Sequence, residues 1–213
     1  THSMLEASLN AYQPKLFINF NTDEEYGHIL EGESLESDVL NPRNPYSASK
    51  ASADLLGQSY FITHNVPIIS TRCCNVFGSR QNKEKLIPKV ITNILTNQKI
   101  PVFGSGMQIR QWIYTKDVFF ALKCIIEKGI VGEIYNISSG VEKNNLEVIN
   151  FICDSLGKGK DLIEFVEDRK GHDFRYALNY DKIKNIGWEP KYGFNEALLH
   201  TINWFKVNAW SWK

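Results

Sequence analysis

Tyr46 and Lys50 stand four residues apart in the stretch Asn44-Pro45-Tyr46-Ser47-Ala48-Ser49-Lys50. Asn44 can cap a helix through its side-chain oxygen, and Pro45 has the fixed φ that suits a first helical position. On the helix that follows, residues i and i+4 share a face, so the phenol and the ammonium lie side by side. Beside a cation, and near the positive end of a helix dipole, the phenol is expected to ionise more readily than free tyrosine and to transfer protons near neutral pH. Tyr-x-x-x-Lys alone is common on helices, where an interfacial tyrosine and a solvated lysine account for it. A second stretch, Asn21-Thr22-Asp23-Glu24-Glu25-Tyr26-Gly27, changes the weighing. Adjacent carboxyls can divide acid and base work, one holding a proton while the other stays ionised.

The surrounding pattern supplies elements that could bring these groups together. Leu16–Phe20 is a short apolar run that reads as a buried strand ending at the acidic motif. After an acidic, irregular stretch over 28–45, the Tyr46 helix runs to about His64, and 66–73 reads as a second buried strand. Strand, helix, strand in this order argues for a right-handed crossover in a parallel sheet. An opening helix is expected over 4–11, and the spacing of Ile87, Val90, Ile91, Ile94 and Leu95 marks an amphipathic helix. Further elements are a short strand at 100–103, a helix from Asp117 to a stop at Gly129, and a strand over 133–137. A helix over 146–156, a strand near 162–166, a short helix before Gly187 and a last helix over 194–207 complete the expected order. The fold class expected is α/β.

Composition narrows the possible partners. The 213 residues hold 24 Lys+Arg and 24 Asp+Glu, with no basic run, which argues against nucleic acid or an anionic membrane. No apolar stretch reaches the length of a membrane span and no leader precedes the fold, so a cytoplasmic protein is expected. Cys73, Cys74, Cys124 and Cys153 lack metal-ligand spacing and the histidines are scattered, so the thiols are expected to be reduced and no metal site is expected. Gly104-Ser105-Gly106 and Gly157-Lys158-Gly159 read as turns, since neither joins a strand to a helix as a pyrophosphate-binding turn does.

Taken together, Thr22-Asp23-Glu24 and Tyr46-x-x-x-Lys50 resemble the extended short-chain dehydrogenase/reductase superfamily, and within it the NAD-dependent nucleotide-sugar 4,6-dehydratases, most closely the dTDP-glucose 4,6-dehydratase family. The resemblance implies a partial Rossmann-like, doubly wound parallel sheet, its first strands missing, with a smaller α/β substrate-binding domain. Residues 1–80 would form the later part of the NAD-binding domain. Residues 81–213 would bind the nucleotide sugar, with 107–140 returning to the Rossmann sheet. Without the family's glycine-rich NAD motif, the chain is expected to be a carboxyl-terminal portion impaired in NAD binding.

The same resemblance implies the roles. Thr22, Asp23, Glu24, Tyr46 and Lys50 would be catalytic, with Tyr46 and Lys50 also on NAD. Asn75, Lys85, Leu86, Pro101, Phe103, Arg110, Asn145, Arg169 and His172 would bind a nucleoside-diphosphate sugar, dTDP-glucose or UDP-glucose, with Arg110 offered to the diphosphate. The Tyr46 helix and the helix before it would pair two copies as a homodimer. Asn21, Glu25 and the segment Ser79–Lys83 depart from the family pattern, and Glu25 would crowd a further charge onto Asp23 and Glu24. A catalytically silent homologue that binds nucleotide sugar or pairs with an intact relative is an alternative reading. A UDP-sugar dehydratase or epimerase is another. The expected strand at 16–20 would leave an open apolar edge.

Overall fold

A computed structural model describes residues 1–212. Helix α1 (His2–Asn10), strand β1 (Phe17–Thr22), helix α2 (Pro45–His64) and strand β2 (Ile68–Cys73) open the chain. Strand β3 (Asn75–Phe77), helix α3 (Leu86–Leu95), strands β4 (Ile100–Phe103) and β5 (Ile109–Tyr114) and helix α4 (Thr115–Lys128) follow. The remainder is β6 (Ile134–Ile137), β7 (Glu142–Asn144), α5 (Asn145–Leu156), β8 (Ile163–Val166), α6 (Asp181–Asn185) and α7 (Phe194–Val207).

One parallel sheet runs in the order β1-β2-β6, with Thr22 opposite Cys73 and Cys73 opposite Ile137. The carboxyl ends of the three strands therefore meet at one edge. Every residue of β2 is buried, and neighbours along it point to opposite faces. Ile68 packs with Leu5, Tyr60 and Val66 under α1 and α2. Ile69 and Cys73 join Ile125 of α4, Tyr135 and Ile137 of β6 and Ile183 of α6 on the other face. Helices on both faces of a parallel sheet give the Rossmann-like, doubly wound arrangement. Strand β1 pairs only with β2 among the described residues, so it forms an edge there, where Phe20 is exposed.

Helix α2 can lie close to β1 because its inward positions are small or polar: Ser47, Ala51, Asp54 and Gly57. A Cβ on Gly57 would come within 2.9 Å of the Asn19 amide nitrogen, which itself donates to the Ala53 carbonyl at 3.0 Å. The start of α2 is fixed as its sequence dictates. The Asn44 side chain accepts from the Ser47 amide at 2.9 Å, Pro45 takes the first turn, and Asn65 ends the helix in the left-handed conformation.

A second core holds the other lobe. Ile87, Ile91 and Ile94 of α3 pack against Val148 and Ile152 of α5 and Leu198 and Ile202 of α7, beside Ile100 and Val102 of β4. Each such isoleucine contributes about 1.5–3 kcal/mol when buried. Strand β4 pairs in parallel with β8, while β5 pairs with β3 and, antiparallel, with β7.

Strands β3, β5 and β7 are absent from the sequence reading, and the segment 107–140 divides between sheets. Only β6 joins β1 and β2, whereas β5 lies with β3 and β7. Both glycine turns are turns, with positive φ at Gly104, Gly106, Gly157 and Gly159. Among the described residues no helix is long and apolar enough to cross a membrane. Cys73, Cys74 and Cys153 are buried and, with Cys124, unpaired.

Candidate active site

The acidic motif is a single 3-10 turn, Asp23–Tyr26, at the carboxyl end of β1. Its start is capped reciprocally: Thr22 Oγ1 accepts from the Glu24 amide at 3.4 Å, and Glu25 Oε1 accepts from the Thr22 amide at 3.5 Å. Gly27 closes the turn at φ 77°, where a Cβ would stand 2.2 Å from the Asn41 carbonyl oxygen. A 3-10 turn advances three residues per revolution, so three successive side chains leave in three directions.

Those directions set the chemistry. Asp23 is buried, with Thr22 Oγ1 donating to its Oδ1 at 3.1 Å. Burial first, and then the charge of Glu24, push its carboxyl up to about 7; the Thr22 hydrogen bond and the Arg110 guanidinium pull the other way. Glu24 is half-buried, its Oε2 accepting from Asn44 Nδ2 at 3.4 Å. Adjacent carboxyls in such different surroundings can divide acid and base work.

Glu25 does not crowd that pair as expected. It is wholly buried and turns toward Arg72, with Oε2 3.6 Å from the guanidinium Nε. Burial, followed by the charge of Asp54, raises it to about 8 against the pull of Arg72.

Tyr46 stands at the first turn of α2, about half exposed, within electrostatic reach of Glu24 and Asp23. The expectation of an easily ionised phenol is overturned. Partial burial first, then Glu24, Asp23 and Glu25, raise its pKa above the ordinary tyrosine value. A helix dipole contributes only about 0.3–1 kcal/mol at such a position, and burial together with the three carboxyl groups runs against it. The ammonium of Lys50 donates to the Phe20 carbonyl at 2.7 Å, which commits it to the end of β1.

Arg110 enters from β5 and is buried. It donates to the carbonyls of Asp173 at 2.8 Å and Phe174 at 3.1 Å and lies 4.4 Å over the Tyr176 ring. Its charge acts on Asp23 and Glu24. Three expected residues meet elsewhere, around Asp168. Arg169 covers the Phe103 ring at 4.9 Å and reaches His172 Nε2 at 3.3 Å, while His172 Nδ1 meets Asp168 Oδ1 at 2.7 Å. Gln108 Nε2 donates to the other Asp168 oxygen at 2.9 Å, and the Gln108 carbonyl accepts from the Asn145 amide at 3.2 Å.

Asn75 begins β3 opposite Trp112, and Pro101 sits half-buried in β4 opposite Glu164. Lys85 is exposed where α3 begins, and Leu86 half-buried beside it. These four are not drawn into either cluster by a side-chain hydrogen bond. A cleft of about 530 Å³ between Arg80–Lys83 and Trp204, Trp210 and Trp212 includes none of the expected residues.

Sequence reasoning missed Tyr176, whose hydroxyl donates to Asp173 Oδ2 at 2.6 Å beneath Arg110, and Asn44 as a partner of Glu24. Asn44 was legible as a cap; its second role needs the fold. Among the described residues no group of His, Cys, Asp or Glu is arranged to hold a metal ion.

A family model described as GDP-mannose 4,6 dehydratase matches residues 1–201. The low-salt glycan biosynthesis protein Agl12 of Haloferax volcanii is 47% identical over 205 residues, 96% of this chain and 66% of that protein. A crystal structure of dTDP-glucose 4,6-dehydratase from Bacillus anthracis in complex with NAD matches with a TM-score of 0.93 and 42% identity, over 99% of this chain and 68% of that one. DesIV, a dTDP-glucose 4,6-dehydratase from Streptomyces venezuelae solved with NAD and TYD bound, matches with a TM-score of 0.97 and 37% identity, over 99% and 66%. The chain spans about two thirds of the length of the curated relatives it matches, 66% and 63% for the first two.

Proposed function

The chain belongs to the GDP-mannose 4,6-dehydratase family, and from that premise we propose that it carries the acid–base machinery of a dTDP-glucose 4,6-dehydratase-like reaction, acting in the cytoplasm on dTDP-glucose or UDP-glucose. The observation that carries this reading is the turn itself. The buried Asp23 carboxyl, raised to about 7, stands beside the half-buried Glu24, and the Tyr46 phenol lies within electrostatic reach of both.

The residues divide the work as follows. Tyr46, in the minor phenolate form that its raised pKa leaves, takes the proton from the sugar 4-hydroxyl, and Thr22 Oγ1 hydrogen-bonds the same oxygen. Glu24 removes the proton at C5, which the neighbouring C4 carbonyl makes acidic. Asp23 gives its proton to the 6-hydroxyl, which leaves as water across the C5–C6 bond. Arg110 holds the charge of the acid pair in check. Glu24 then returns a proton to C5, Tyr46 releases its own to the medium, and Asp23 takes one up from it. NAD, when bound, supplies the hydride acceptor for C4 and the donor for C6.

The fit of these residues to NAD is to one end of it. Tyr46 is half-exposed at the mouth of the sheet, and the Lys50 ammonium reaches the strand end beside it. These would meet the nicotinamide ribose, and Lys50 would exchange the Phe20 carbonyl for a ribose hydroxyl. The two glycine turns lead into β5 and a short 3-10 turn, so neither sets a pyrophosphate on a helix amino end.

On this reading residues 1–80 present the chemistry and 81–213 hold the nucleotide sugar, apart from β6. The Phe103–Arg169–His172 cluster suits a base and its phosphates, since a planar guanidinium both stacks and forks. Asn75, Lys85, Leu86, Pro101 and Asn145 would complete that surface. Helices α1 and α2 pair two copies, a reading supported by the outward Met4, Leu9, Leu55 and Ile62.

The test is product analysis with NAD and each nucleotide sugar. A 4-keto-6-deoxy sugar that disappears in Glu24→Gln supports dehydration. A 4-epimer that survives Glu24→Gln favours an epimerase, which needs no C5 base. Binding without turnover favours the silent homologue, a reading to which the raised phenol and the engaged Lys50 lend support.

A further inference from the structure

The buried carboxyl behind the acidic turn is not used by the chemistry above. Glu25 lies between two anchors, the Thr22 amide and the Arg72 guanidinium. Arg72 is itself 2% exposed and ties several elements together. Its Nε and Nη2 donate to Asp54 Oδ2 of α2 at 2.9 and 2.6 Å, and its Nη1 donates to the Tyr26 hydroxyl at 2.7 Å and the Glu36 carbonyl at 3.2 Å. The Tyr26 hydroxyl in turn donates to Asn136 Oδ1 of β6 at 2.8 Å. One cation thus faces two buried carboxyl groups, and Glu25 Oε2 and Asp54 Oδ1 accept no hydrogen bond.

Resting on the dehydratase reading, we infer that Glu25 is a positioning residue whose protonated carboxyl holds the turn that presents Asp23 and Glu24. The arrangement explains why the proton stays. Asp54 takes both strong bonds of the guanidinium and neutralises it, so a second carboxylate at Glu25 would be buried without a cation of its own. Burial and Asp54 act in that direction, while Arg72, the Thr22 amide and the Lys50 ammonium on α2 act against it. Tyr46 at the start of α2 feels the Glu25 charge as well. Tyr26 and Glu36 meet the guanidinium on its far side. When Glu25 ionises, two buried carboxylates share one guanidinium, and the uncompensated charge is relieved by shifting the turn that carries Glu25, so the acid pair loses its fixed aim.

The consequence is read at two places, one of which needs no turnover. In the full chain, the backbone amide signals of Thr22 and Glu24 shift with pH in a step near 8, above the step that Asp23 causes. Glu25→Gln is neutral and keeps an oxygen for the Thr22 amide. It loses the upper step while leaving the signals near their low-pH wild-type positions. Glu25→Met fills similar space without an acceptor and moves both signals at every pH. In turnover, Glu25→Gln holds its kcat through pH 9, where the wild-type value falls several-fold, and Glu25→Met lowers kcat about tenfold with KM unchanged. An upper step that persists in Glu25→Gln, or a Glu25→Met chain with wild-type amide signals, overturns the inference. A wild-type chain that makes no product sinks the dehydratase reading, and the amide titration then decides the role of Glu25 alone.

Discussion

Asp23 and Asp168 each stand beside a second ionisable residue, and their carboxyls move in opposite directions. Asp168 is exposed; the His172 hydrogen bond draws it below the ordinary aspartate value. Asp23 is enclosed against a like charge and rises to about 7. The first region is compensated: a histidine, a glutamine and a backbone amide meet one carboxylate. The second is left short of partners, and Asp23 Oδ2 has no hydrogen bond. On the proposed reading, an anion-binding surface keeps settled charges, whereas a proton-moving site keeps one group poised between its states.

That contrast can be broken in four places. Asp23→Asn should lower turnover by about 10²–10⁴-fold, the usual worth of a placed acid, while Asp168→Asn should change KM more than kcat; equal kcat losses would erase the distinction. The Asp23 substitution also carries a pH signature. Its folded pKa lies above the unfolded 3.8, so both states are protonated below about pH 4 and wild-type stability falls as pH rises toward 7. Thermal unfolding of wild type and Asp23→Asn should therefore diverge across that window, with the variant falling less steeply because only Glu25 still titrates there with a raised value.

Arg72→Met strips the cation from two buried carboxyls and should cost about 3–5 kcal/mol in urea unfolding; a loss under about 1 kcal/mol would mean that the network is not holding the turn. Asn44→Ala removes a cap worth about 1 kcal/mol and frees Glu24 Oε2, so stability and kcat should fall together. Smallest is the stability effect of Asp168→Asn, on the order of 0.5 kcal/mol because the group is solvent-screened. Its sign is opposite to that of Asp23: the lowered pKa stabilises above the ordinary aspartate value, and the benefit vanishes as pH falls through the folded value.

Much of the site was legible because it is local. Thr22, Asp23 and Glu24 share one turn, and Asn44, Pro45, Tyr46 and Lys50 share one helix start, so spacing alone groups them. The order of strands and helices followed from apolar periodicity. What failed was long-range. The ionisation of Tyr46 was argued from its own helix, yet its partial burial, followed by carboxyl groups some twenty positions upstream, raises it. Strand β5 was hidden by its buried polar residues. Gln111 is fully buried, accepting from the Leu178 amide and the Ser138 hydroxyl, and next to Arg110 it breaks the apolar run. Strands β3 and β7 are three residues each and exist only through β5. Glu25 looked like crowding because a sequence does not show that a 3-10 turn sends neighbours apart.

The most direct measurement is a pH titration of the Asp23 carboxyl carbon by NMR in chain labelled at aspartate, assigned with Asp23→Asn. A midpoint near 7 is the expected result. A midpoint at or below the ordinary aspartate value of 3.8 would mean that Asp23 is already ionised when the reaction needs its proton, and the acid–base assignment would fail.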